Sequence, residues 1–90
     1  MNGMRKKKII RSDLSHTHAS PNLTVEVCIY SISSMNGWAL EVLCQDGRSA
    51  VWSQVFRSDE EAFDAFVETL AEIGLSAILE HQTIPKPTQH

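Results

Sequence analysis

No apolar run in this chain exceeds four residues, which excludes a transmembrane helix. Four glycines and three prolines in 90 residues exclude a collagen-like or glycine-rich array. The chain also lacks a G-x-S-x-G elbow, a P-loop and a G-x-G-x-x-G turn, the compact signatures of a nucleophile or a phosphate cradle. Its two cysteines, Cys28 and Cys44, have neither C-x-x-C nor zinc-finger spacing. They read as small apolar side chains with free thiols. The basic start is followed by no apolar segment of secretory length, no amphipathic transit helix and no lipidation motif, so a cytoplasmic protein is expected.

Charge of one sign is missing from each part of the chain in turn. Residues 1–11 hold Arg5, Lys6, Lys7, Lys8 and Arg11 and no acid. The remainder sets Arg48, Arg57 and Lys86 against eleven acids, a net of −8. An apolar content of 42% with 21% charged residues is that of an ordinary globular domain. A chain this short supports one modest core.

Three segments carry the expected order. Residues 1–21 are basic, then polar, without strand or helix period, and read as a flexible arm. Residues 22–84 read as a single α+β domain, and 85–90 as a disordered tail. Within the domain, residues 23–33 alternate, with Leu23, Val25, Val27 and Ile29 on one face. Asn36-Gly37 and Asp46-Gly47 are hairpin signals that separate this strand from strands at 38–45 and 49–56. A two-residue loop at Asn36-Gly37 would set Met35 opposite Trp38, join Val27 and Ile29 to Leu40 and Val42, and leave Cys28 and Cys44 on opposite faces.

A helix is expected over 58–73. Ser58 and Glu61 form a capping box, and Asp59 and Glu60 suit the positive end of the helix. Phe63, Phe66, Val67, Leu70 and Ile73 make an apolar stripe, and Gly74 marks a stop. The apolar run Ser76-Ala77-Ile78-Leu79 suggests a short fourth strand within 75–84. The expected fold is therefore a three-stranded antiparallel meander with one helix on one face, β-β-β-α with a further short β.

Candidate chemistry is sparse. His16 and His18 lie two apart on extended chain and could share a metal, but no further ligands stand at suitable spacing, so no metal is expected. Cys28 has no histidine base beside it in the sequence, and no catalytic residue or cofactor site is assigned. Arg5, Lys6, Lys7, Lys8 and Arg11 could grip phosphates. The acidic domain behind them opposes nucleic acid, which is kept as the alternative partner class. Glu61, Asp64, Glu68 and Glu72 form an acidic helix stripe without Lys or Arg, either a solvated face or a contact for basic residues.

The second face of the sheet is not plainly polar. Tyr30, Ile32 and Leu43 lie on it, and Trp52 joins them if the second hairpin takes the matching register. Large apolar groups of this kind anchor interfaces, the alternative being that the flank of the fourth strand, or Ile9, Ile10 and Leu14 of the arm, folds over them. The expected function is a non-catalytic protein–protein interaction module, with a homodimer through this face or an edge strand as its simplest form. Its cellular role is not encoded in any motif.

Overall fold

The computed structural model describes residues 8–34 and 36–85. The basic residues Arg5, Lys6 and Lys7, the expected partner position Met35, and residues 86–90 lie outside them. The architecture is α+β: one sheet with one helix packed against it. The strands are β1 (Ile9–Arg11), β2 (His16–Ala19), β3 (Thr24–Ile32), β4 (Ala39–Cys44), β5 (Ser49–Trp52) and β6 (Thr83–Ile84), with α1 (Asp59–His81) between the last two. Their order in the sheet is β1-β3-β4-β5-β6, and β2 also pairs with β3.

β3, β4 and β5 form the expected antiparallel meander. Its faces agree with the alternation, although the first register does not. Tyr30 pairs with Ala39, so residues 31–38 span a connection longer than a two-residue turn. Trp38 pairs with Phe56 instead of Met35: its N–H donates to the Phe56 carbonyl at 2.8 Å and its carbonyl accepts from the Phe56 N–H at 2.9 Å. The register shift is even, so every side chain keeps its face. Val25, Val27, Ile29, Leu40 and Val42 are buried together, and Cys28 and Cys44 are free thiols on opposite faces.

The second hairpin closes differently. Cys44 N–H donates to the Arg48 carbonyl at 2.8 Å across a three-residue loop, Gln45–Gly47. Asp46 chelates Arg48 in that loop, and its carboxyl is held down to about 2 by the guanidinium and by the Arg48 backbone N–H. This register pairs Val42 with Ala50, so Trp52 falls on the face of Leu40 and Val42. A loop shorter by one residue would have turned Trp52 to the other side.

The flexible arm is corrected over its described part. Residues 9–11 and 16–19 both pair antiparallel to β3 and form one interrupted edge strand. Two serines bridge the interruption. Ser12 N–H donates to the Ile29 carbonyl at 2.8 Å, and Ser15 Oγ accepts from the Ile29 N–H at 2.9 Å. Buried Ser12 also donates its hydroxyl to Asp59 Oδ2 at 2.6 Å, tying the edge strand to the first turn of α1. These local bonds explain why a polar stretch without a strand period is ordered: its backbone is satisfied by side chains.

α1 begins as expected, with Ser58 Oγ accepting from the Glu61 N–H at 3.1 Å. It does not end at Gly74. That residue takes φ 81° and ψ 164°, outside helical geometry, and the helix resumes beyond it to His81. The break rephases the buried stripe. Ala62 and Phe66 are buried before it, and Leu75, Ile78 and Leu79 after it, while Val67 and Ile73 are 45% and 42% exposed. Residues 75–81 are therefore helix, because the spacing i, i+3, i+4 of Leu75, Ile78 and Leu79 suits a helix face. The short strand that follows is β6 alone, parallel to β5, an arrangement that needs a crossover such as α1 supplies.

Two glycines are required by this geometry. A Cβ on Gly37 (φ 149°) would sit 2.4 Å from the Phe56 carbonyl oxygen, and Gly74 occupies backbone space nearly closed to other residues. Gly37→Ala is expected to lower the unfolding free energy by about 1–3 kcal/mol in urea titrations. Gly74→Ala should cost a similar amount, even though its Cβ would meet no atom within 4 Å. An unchanged midpoint for either variant would contradict the backbone description.

Candidate interaction surface

Alternation on β3 sends Glu26, Cys28, Tyr30 and Ile32 away from α1. Cross-strand pairing then sets their neighbours. Ile9 lies beside Ile32 and Arg11 beside Tyr30 on β1, while Leu43 lies beside Glu26 and Glu41 beside Cys28 on β4. Val51 on β5 continues the row of Cys28 and Glu41. The result is an outer face with Ile9, Tyr30 and Ile32 together at one end, Leu43 and Val51 diagonal to each other toward the other, and Cys28, Glu26 and Glu41 between them. Ile9, Leu43 and Val51 are 65%, 41% and 37% exposed, and Tyr30 and Ile32 are half-buried. A shallow depression of about 410 Å³ lies between β1 and β4, lined by Ile9, Arg11, Cys28, Tyr30, Ile32 and Glu41 among others.

The electrostatics of this face are uneven. Arg11 Nη2 lies 3.6 Å from Glu26 Oε2, an exposed pair, and Thr17 Oγ1 donates to Glu26 Oε1 at 2.8 Å. Glu41 has no ion-pair partner among the described residues. Burial pushes the Cys28 thiol up from its ordinary value, against the lowering effect of nearby Arg11. Burial and the Glu41 carboxylate likewise raise the Tyr30 hydroxyl. Both groups are therefore neutral at pH 7. Cys28 is thus a poor nucleophile there.

Three of the four residues anticipated for an interface meet on this face: Tyr30, Ile32 and Leu43. Trp52 does not. It is 6% exposed on the helix side, with its ring centroid 6.5 Å from that of Phe66. Ile9 and Val51 complete the patch instead. The alternation of β5 hints at Val51, and Ile9, expected only as a residue of the arm that could fold over this face, joins it as part of a strand paired to β3.

The other candidate residues are dispersed. His16 and His18 face α1, where their rings lie 5.7 Å from those of Phe63 and Phe66 respectively. His16 Nδ1–H donates to the Leu14 carbonyl at 2.9 Å. Among the described residues, no group of three His, Cys, Asp or Glu side chains is placed to hold a metal ion. Arg11 belongs to the outer face, and Lys8 immediately precedes β1, its backbone N–H 3.4 Å from Ser33 Oγ. Glu61, Asp64, Glu68 and Glu72 are all exposed, and Glu61 accepts from the Arg57 backbone N–H at 3.3 Å. Glu68 and Glu72 border a cleft of about 350 Å³ with Trp52, Thr69, Ile73 and His81.

No protein-family model, curated protein or solved structure matches this chain. No helix among the described residues is long and apolar enough to cross a membrane.

The raised Cys28 thiol has a measurable consequence. In a Cys44→Ser variant, the alkylation rate of Cys28 by iodoacetamide should still be climbing at pH 9, because the thiolate forms only above the ordinary range near 8.5. A plateau by pH 8 would contradict the buried placement.

Proposed function

We propose that this chain is a non-catalytic protein–protein interaction module that binds through the outer face of its sheet. The observation that carries the reading is that the side away from α1 exposes two apolar groups, Ile9, Tyr30 and Ile32 at one end of β3 and Leu43 with Val51 toward the other, with Cys28, Glu26 and Glu41 between them. Exposed apolar groups occur singly on most proteins, but an adjoining set rimmed by charge marks a contact surface. Tyr30 supplies an aromatic anchor, and Arg11, Glu26 and Glu41 supply the polar rim.

The shape of the surface favours a macromolecule. Small ligands occupy enclosed concave sites, whereas this face is broad, shallow and open. Its charges are mixed in sign and include two carboxylates, which disfavours a phosphate backbone. The helix side offers no comparable patch, since exposed Val67 and Ile73 stand among Asp64, Glu68 and Glu72.

Leu43→Asp places a charge in the patch at a position already 41% exposed, so the fold should survive. Val67→Asp is the matching control on the helix. Immobilised wild-type chain and the Val67→Asp variant should retain the same proteins, including untagged copies of the chain, and Leu43→Asp should lose them about tenfold or more. Equal retention by all three forms would overturn the reading.

A further inference from the structure

We infer that the outer sheet face binds a second copy of this chain, packed face to face about a two-fold axis running along β3, with Arg11 of each copy paired to Glu41 of the other. The inference rests on the reading of that face as an interaction surface and adds the identity of the partner. Its basis is charge complementarity of the face with itself. Arg11 lies on the β1 side of Tyr30, and Glu41 lies on the β4 side of Cys28. A two-fold axis along β3 exchanges these sides, laying β1 of one copy over β4 of its mate. A two-fold axis across the strands leaves β1 over β1 and brings no Arg11 to Glu41.

The distances are compatible. Facing sheets stand about 10 Å apart, and the Arg11 and Glu41 rows are two residues apart along β3, about 7 Å. An extended arginine spans the gap. Glu41, without an ion-pair partner among the described residues, gains two hydrogen-bond donors there. On the axis, Tyr30 and Ile32 meet their own counterparts. Packed sheets cross at about 30°, so the far ends of the two β3 strands diverge and separate the Glu26 carboxylates, each still accepting from Thr17 of its own copy once Arg11 exchanges its exposed 3.6 Å contact with Glu26 for Glu41 of the mate.

Area and edges point the same way. The face measures roughly 30 Å along the nine residues of β3 and about 19 Å across four strands, a footprint of about 570 Å² on each copy, smaller than a standard interface but above the roughly 1,000 Å² in total that a specific one needs. Edge pairing is the weaker route. The β1–β2 edge is interrupted between Arg11 and His16, and β6 at the opposite edge has two residues. Neither offers a long ladder to a mate.

The axis also passes Cys28, which makes the arrangement testable. In full-length chain carrying Cys44→Ser, a short bismaleimide should join Cys28 to Cys28 as a covalent dimer. A chain carrying Cys28→Ser, with Cys44 retained, should not be joined. Light scattering across a tenfold concentration range should approach twice 10.1 kDa. Arg11→Glu and Glu41→Arg should each weaken the dimer about tenfold, and the double exchange should restore it. A mass of one chain throughout, crosslinking through Cys44 alone, or no restoration in the double variant would overturn the inference. If the mass stays that of one chain while Leu43→Asp still abolishes retention of other proteins, the interaction surface stands and the second copy is excluded. If Leu43→Asp also changes nothing, both fall.

Discussion

Phe66 is where the elements of this small protein converge. Its ring is 1% exposed and lies 6.0, 5.7 and 6.5 Å from the rings of His16, His18 and Trp52, so one side chain joins α1 to β2 and β5. Burial of a side chain this large contributes roughly 1.5–3 kcal/mol. Around it, Val27, Leu40, Val42, Ile78 and Leu79 form the single core. That arrangement uses the one helix among the described residues on one face of the sheet. The opposite face must then be solvated or covered by another molecule. That face carries Ile9, Tyr30 and Ile32 at one end and Leu43 and Val51 toward the other.

The parts of the fold that were readable in advance are those with a strict period. β3 and β4 alternate cleanly, and an even register error left their faces intact. The start of α1 was marked by Ser58 and Glu61, whose backbone bond is the local interaction the pattern implies. Trp52 was undecidable because one residue of loop length at Gln45–Gly47 inverts the face of β5. Residues 75–81 were misread because a seven-residue stretch after a glycine is too short to separate helix from strand by periodicity. The edge strand was missed for another reason. Ser12, Ser15, His16 and His18 are polar, and their order comes from bonds to Ile29 and Asp59, distant in the sequence.

The same division applies to the surface. Alternation alone places Tyr30, Ile32 and Leu43, whereas the positions of Ile9 and Arg11 beside Ile32 and Tyr30 follow from the pairing of β1 with β3. That pairing turns a basic residue of the amino-terminal segment into the cation of the outer face. Arg11 and Glu41 lie on opposite sides of β3, the distribution on which the proposed two-fold pairing rests. The acidic helix stripe stays separate, with no cation paired to it among the described residues.

Isotope-filtered NMR on a mixture of ¹³C-labelled and unlabelled chains tests this account most directly. Intermolecular NOEs should arise at the methyl groups of Ile32 and Leu43, and be absent at Val67 and Ile73. Intermolecular contacts confined to Val67 and Ile73, or none at concentrations where the labelled methyls are resolved, would contradict self-pairing through the outer face.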